Sequence, residues 1–389
     1  MQSLFPITEY WSWGTFVLYI AVSIVVCRCC RAGAIWRQKT DDIFLKEKHR
    51  VRLVNSNIYF GIAFFILVLL GTLRTVDVGS DTQVYIGYFD NIGKFSFKLS
   101  NLFNFNQMEP GFQIYLRLIR NISSNYTFLF FVNSILISTA YIAYIKYFFD
   151  EKSDYTFLQI FIFYYVSNMS GMRAALATVF ILFSYIMLAK GKNIKAIILT
   201  LFACGFHYTM VFNFYIIIMI MLFKSEELRK RKWLWTVSLL ATLGIAMTST
   251  YALRGIFAGT KYSFYTDKLE ELSLLGSMFF VLFGIFAFGF YREIMLNDKY
   301  SEKIKNIYLV TIAFLVTYPV IFVTGAYRIP NYYVLPRLTI WGEMKIFYGK
   351  YVKQRQIYQL IIQIIIILYL LFRFTRSSVD GGFIYHWIL

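Results

Sequence analysis

Apolar residues run along this chain in long blocks, broken by short polar or basic segments rather than by strict alternation. About 20 mostly apolar residues cross the about 30 Å of hydrocarbon in a bilayer. The pattern predicts spans at 13–30, 54–73, 126–149, 155–170, 172–190, 196–206, 208–223, 233–253, 274–292, 307–325, 328–347 and 357–373. Length bears on two adjoining pairs. Tyr155 to Lys190 as one helix is about 54 Å at 1.5 Å per residue, too long for one crossing, so a break is expected at Ser170-Gly171. Ala196 to Phe223 comes to about 42 Å by the same rise. Gly205 beside His207 there predicts a re-entrant hairpin of two short arms, which protein or a wet cavity must cover. Residues 74–125 are too polar to span, and their aromatic-rich stretches predict short amphipathic helices at the outer interface. The expected fold is an all-α polytopic membrane helix bundle of about 11–12 segments, one integral domain over 1–389, with 74–125 inserted between the second and third spans.

Composition closes off other classes. The chain is 58% hydrophobic and 15% charged, whereas soluble domains carry about 45–50% and about 25%. A soluble globular enzyme is excluded, and 41 Phe, 31 Tyr and 5 Pro exclude disorder and collagen-like structure. A net charge of +18 raises nucleic acid as a partner, but the distribution answers differently. With the N-terminus outside, the loops 28–53, 146–154, 190–195, 224–232, 292–306 and 345–355 fall inside and hold 26 of the 39 Lys and Arg. That is the bias of cytoplasmic loops, so the basic charge belongs to topology and no nucleic acid is expected. A single crossing over 196–223 would put Lys224, Arg229, Lys230, Arg231 and Lys232 outside, which favours the hairpin. The first apolar run ends in Cys27-Arg28-Cys29-Cys30 without a small-residue cleavage site, so the first span is expected to be retained. Those cysteines lie on the reducing side, and no disulfide framework is implied.

The unusual polar residues gather on the outer side. Arg173 comes one turn into a helix that restarts after Ser170-Gly171, where backbone N–H groups and the positive helix end meet a guanidinium. Phosphate is the usual guest of such a site; a snorkelling arginine is the plainer reading. Arg328 opens a late helix in the same way, and Arg337 falls deeper, just after Pro336. An arginine within hydrocarbon costs about 2.5–3.5 kcal/mol or more and normally faces a cavity and a partner. His207 alone among the three histidines sits at a break inside the membrane region. Its ordinary pKa of about 6.5 suits a general base, although a packing histidine is the common case. Asp77, Asp81, Tyr85, Tyr88 and Glu109 occupy the outer segment. The sequence has no P-loop, no G-x-G-x-x-G, no H-E-x-x-H, no Cys–His zinc pattern and no D-x-D pair. Neither a metal nor a cofactor is expected. An outward anion site without a nucleotide motif points to a lipid-linked phosphate or diphosphate.

Five motifs in order carry a family resemblance. Arg74 followed by Gly79-Ser80-Asp81 and Tyr85 resembles R…G-[TS]-D…Y, and Glu109-Pro110-Gly111-Phe112 resembles E-P-[GL]-F. Gly171-Met172-Arg173 stands where S-R-Q is usual, Phe206-His207-Tyr208-Thr209 is similar to F-H-x-[ST], and Arg328 to Tyr333 is similar to R-x-x-x-Y-[FY]. Together they resemble the EpsG-type, Wzy-like polysaccharide polymerases of bacterial O-antigen, capsule and exopolysaccharide pathways. The departure is at Arg173, whose neighbours Met172 and Ala174 give it no polar support. The resemblance implies a multi-pass protein of the bacterial inner membrane with a GT-C-like fold, acting metal-independently on the periplasmic face. It implies transfer of a glycan from undecaprenyl diphosphate to a hydroxyl of an incoming lipid-linked repeat unit, with a chain-length regulator as a further partner.

On that reading Arg173, Arg328, Arg74 and Arg337 hold the diphosphate, and His207 is the base, with Glu109 and Asp81 as the other candidates. Tyr85 and Tyr332 stack on sugar rings. Other readings are an O-antigen ligase, a flippase for the same lipid-linked oligosaccharide, or a membrane acyltransferase using the histidine. A transporter is expected to show related halves, and no internal repeat is visible.

Overall fold

A computed structural model describes residues 13–38, 46–79, 81–92, 108–151, 153–222, 237, 294–297, 300–312, 334–343, 357, 360–361, 363–368 and 371. The described elements are helical: α1 Trp13–Gln38, α2 Lys46–Thr72, α3 Thr82–Asn91, α4 Pro110–Ile122, α5 Tyr126–Phe148, α6 Leu158–Ser170, α7 Met172–Ala189, α8 Asn193–Phe206, α9 Phe212–Leu222 and α10 Val334–Glu343. Residues 302–312 are helical as well. The chain is thus an all-α polytopic membrane bundle. Among the described residues, four helices are long and apolar enough to cross a bilayer: Trp13–Arg37, Val51–Thr72, Tyr126–Phe148 and Met172–Ala189. Asn193–Phe206 and Tyr208–Leu222 are apolar but shorter. The spans expected at 233–253 and 274–292, and much of those at 307–325, 328–347 and 357–373, lie outside the described residues.

The expected interruptions are present. Gly171 separates α6 from α7, and His207 followed by a 3-10 turn at Tyr208–Val211 separates α8 from α9. At 1.5 Å per residue α8 and α9 are each about 15–20 Å long, short of a full crossing. Residues 74–125 contain α3 and α4 as two short helices. Helix α4 buries Phe112, Leu116 and Ile119 on one face and exposes Ile114, Leu118 and Ile122 on another. Two helix ends differ from expectation: α2 starts at Lys46, well before Val54, and α1 runs past residue 30 to Gln38. Charged residues with straight side chains are good helix formers, so a helix does not stop where its apolar run stops.

The chain forms two compact units, one of residues 1–96, 113–183 and 338–389, the other of 97–112 and 184–337. In the first, α1 packs on α2 and α6, and α2 packs on α5. Polar groups tie α2, α5 and α6 together across apolar surroundings: Tyr165 Oη of α6 donates to Leu67 O of α2 at 2.6 Å and pairs with Ser138 Oγ of α5 at 3.1 Å. Asn168 Nδ2 donates to Tyr141 Oη at 2.5 Å, and Tyr144 Oη meets Thr339 Oγ1 at 3.2 Å. Interhelical bonds of this kind replace the hydrophobic driving force that lipid removes. Tyr115 of α4 donates to Asn133 Oδ1 of α5 at 2.5 Å, and burial pushes its phenol well above the usual range, so it stays a neutral donor. In the second unit Tyr185 Oη donates to Asn213 Oδ1 at 2.7 Å, joining α7 to α9. The α7–α8 turn closes with Lys192 N–H to Met187 O at 2.8 Å and Gly191 N–H to Leu188 O at 2.9 Å.

Candidate functional site

In the first unit the loop between α2 and α3 folds against the α6–α7 break. Arg74 holds it there. Its Nη1 donates to Val78 O at 2.7 Å and Thr82 Oγ1 at 3.0 Å, its Nη2 donates to Met169 O at 2.9 Å, and its Cζ lies 4.2 Å from the centre of the Phe130 ring. Arg74 is 2% exposed. The guanidinium expected to hold a diphosphate faces two carbonyls of its own chain, the Thr82 hydroxyl and the Phe130 ring. Gly79 has φ +99°, open to glycine and costly for other residues. A Cβ there would also lie 2.9 Å from Ser170 Cα. Asp81, half-buried, donates its backbone N–H to Ser170 Oγ at 3.1 Å and opens α3.

One turn along α3, Tyr85 meets Arg173. Arg173 Nε donates to Tyr85 Oη at 3.2 Å, and its Cζ is 5.7 Å from the ring centre. Arg173 is half-buried in the first turn of α7, where the positive helix end favours an anion. Tyr85 is 3% exposed. Its ring is enclosed, whereas Tyr88, one turn further on, is 42% exposed.

In the second unit Glu109 and His207 come together across 98 residues of chain. His207 Nδ1 lies 3.4 Å from Glu109 Oε1, an ion-pair distance longer than a good hydrogen bond. The Glu109 side chain is fully buried and that of His207 is 11% exposed. Their approach depends on two glycines. A Cβ on Gly111 would sit 2.7 Å from Gly205 O and 2.9 Å from Gly205 C, so the start of α4 is in backbone contact with the end of α8. A Cβ on Gly205 would meet Gly111 only at 3.9 Å. Gly111→Ala is expected to cost about 1–3 kcal/mol by overpacking and to displace Glu109 from His207. Gly205→Ala is expected to be tolerated. Thermal melts and activity of the two purified variants check the contrast, and equal behaviour would refute it.

Arg337 is 6% exposed within α10. Arg328, Tyr332 and Tyr333 lie outside the described residues. Among the described residues, no group of three or more His, Cys, Asp or Glu is placed to hold a metal ion.

The residues that form these two clusters fall within one family match, which spans 57–387 and is described as the EpsG family. The chain belongs to the EpsG family. This is the family of exopolysaccharide and Wzy-like polymerases. No curated protein and no solved structure matches this EpsG-family chain. Sequence reasoning missed the Arg74 clamp, the Ser170 hydroxyl and the Gly111–Gly205 contact. Gly111 was visible as part of the second motif, but its neighbour is set only by the fold.

Proposed function

We propose that this EpsG-family membrane protein is a glycosyltransferase that polymerises lipid-linked repeat units on the periplasmic face of the bacterial inner membrane. The observation that carries this reading is the His207–Glu109 pair. A carboxylate sealed from solvent beside Nδ1 fixes the imidazole's orientation and stabilises its protonated form, leaving Nε2 for chemistry. Glu109, fully buried, is thus an orienting group and His207 the base.

The step balances without a further reagent. The acceptor hydroxyl oxygen of the incoming repeat unit bonds to the anomeric carbon of the donor glycan. The bond from that carbon to the phosphate oxygen of undecaprenyl diphosphate breaks, and the diphosphate leaves with the electron pair. The hydroxyl proton passes to His207 Nε2. Charge accumulates on phosphate oxygens, and Arg173 at the start of α7 is suited to stabilise it. Arg328 and Arg337 are proposed as further diphosphate contacts, and Asp81, Tyr88 and Tyr332 as sugar contacts.

Purified protein in nanodiscs, given undecaprenyl-diphosphate-linked repeat units, is expected to release free undecaprenyl diphosphate and to yield a ladder of multiple repeat lengths. Transfer of a single glycan to lipid A instead identifies a ligase. Movement of the intact lipid-linked unit across a vesicle without new glycosidic bonds identifies a flippase. Either result overturns the polymerase reading.

A further inference from the structure

We infer that Tyr85 is a positioning residue that holds Arg173 in the orientation needed for a diphosphate, rather than a sugar-stacking residue; this rests on the reading of Arg173 given under Proposed function. Tyr85 is 3% exposed, so neither face of its ring is open to a ligand the size of a sugar. Its hydroxyl instead accepts Arg173 Nε at 3.2 Å, and the ring lies 5.7 Å from the Arg173 Cζ. A bond at Nε restrains the plane of the guanidinium, and with it the plane of the terminal Nη pair. That pair is the edge that makes two parallel bonds to a phosphate.

The support is also anchored at both ends. Ser170 accepts the Asp81 N–H at 3.1 Å, and Tyr85 N–H bonds to Asp81 O at 3.1 Å one turn later. Ser170 stands three residues before Arg173. The start of α3, which carries Tyr85, and the helix start that carries Arg173 are therefore held in register by one hydroxyl, with Arg74 clamping the loop before α3 to Met169 O. Arg173 is flanked by Met172 and Ala174, both buried and apolar, so α7 itself supplies no polar side chain beside it in sequence. Tyr85 takes that place from another helix.

The test is a double-mutant cycle with Tyr85→Phe and Arg173→Ala, assayed on undecaprenyl-diphosphate-linked repeat units. Tyr85→Phe keeps the ring and removes only the hydroxyl. Its kcat/KM is expected to fall about tenfold, the scale of one hydrogen bond to a charged group. In the Arg173→Ala background it is expected to cost nothing further, because the hydroxyl acts only through the guanidinium. Wild-type kinetics for Tyr85→Phe beside an impaired Arg173→Ala overturns the inference, and so does a Tyr85→Phe loss that multiplies fully onto Arg173→Ala. Full activity of Arg173→Ala, or no polymer from the wild type, defeats the underlying reading of Arg173 instead. A second measurement then judges the positioning: the rate at which phenylglyoxal labels Arg173, read by peptide mass spectrometry. Faster labelling in Tyr85→Phe supports a held guanidinium, and an unchanged rate overturns it.

Discussion

Replacing His207 by alanine is expected to lower polymerisation turnover by about 10²–10⁴-fold, the range supplied by a positioned general base. KM for the lipid-linked donor is expected to change little, since in the proposed mechanism the imidazole takes the acceptor proton and arginines, not the imidazole, hold the diphosphate. The partner variant separates the roles. Glu109→Gln keeps the size of a side chain that is completely buried but removes the charge that stabilises the imidazolium, so turnover should fall while folding is retained. If Glu109 were itself the base, His207→Ala would be the milder change. Added imidazole provides a further check: it is expected to restore part of the activity of His207→Ala and none of that of Glu109→Gln. Turnover at the wild-type level in His207→Ala would remove the catalytic assignment.

Length made the first break legible: an apolar run from Tyr155 to Lys190 cannot cross a bilayer once, and the chain does interrupt itself at Gly171. The second, at His207 between α8 and α9, was signalled by Gly205 beside it and by the basic residues after Phe223. Helix ends were less legible, because Lys46 to Leu53 prolong α2 beyond its apolar stretch and nothing in a hydropathy pattern marks where a charged helix stops. Motifs identified Glu109 and His207 as candidates but gave no sign that they meet, since contact between residues far apart in sequence is a property of the folded chain. Arginines were the least legible. Arg74 and Arg173 look alike in sequence, each next to a conformational break on the expected outer side. Only the acceptors around them tell them apart: backbone carbonyls for Arg74, and the phenol of a neighbouring helix for Arg173.

That difference sets the second large effect. Arg74→Ala is expected to destabilise the folded protein by about 3–5 kcal/mol, from a buried carbonyl left without its donor and a lost cation–ring contact. Its parts can be read from the contacts. Val78 O keeps the Thr82 hydroxyl, which donates to it at 2.7 Å, whereas Met169 O loses the guanidinium. A buried acceptor deprived of its donor costs about 1–3 kcal/mol. The cation lying 4.2 Å from the Phe130 ring centre adds about 2 kcal/mol when desolvated. Arg74→Lys retains a charge but has a single nitrogen, and cannot span from Val78 O to Met169 O as a planar fork does; it is expected to recover only a minor part. Thermal melts in detergent measure the loss, and activity is expected to fall with it as Asp81 and the start of α3 come away from Ser170. A diphosphate-binding Arg74 would behave in the opposite way, with an unchanged melting temperature and a raised KM for the donor. That pair of results would return Arg74 to the substrate site.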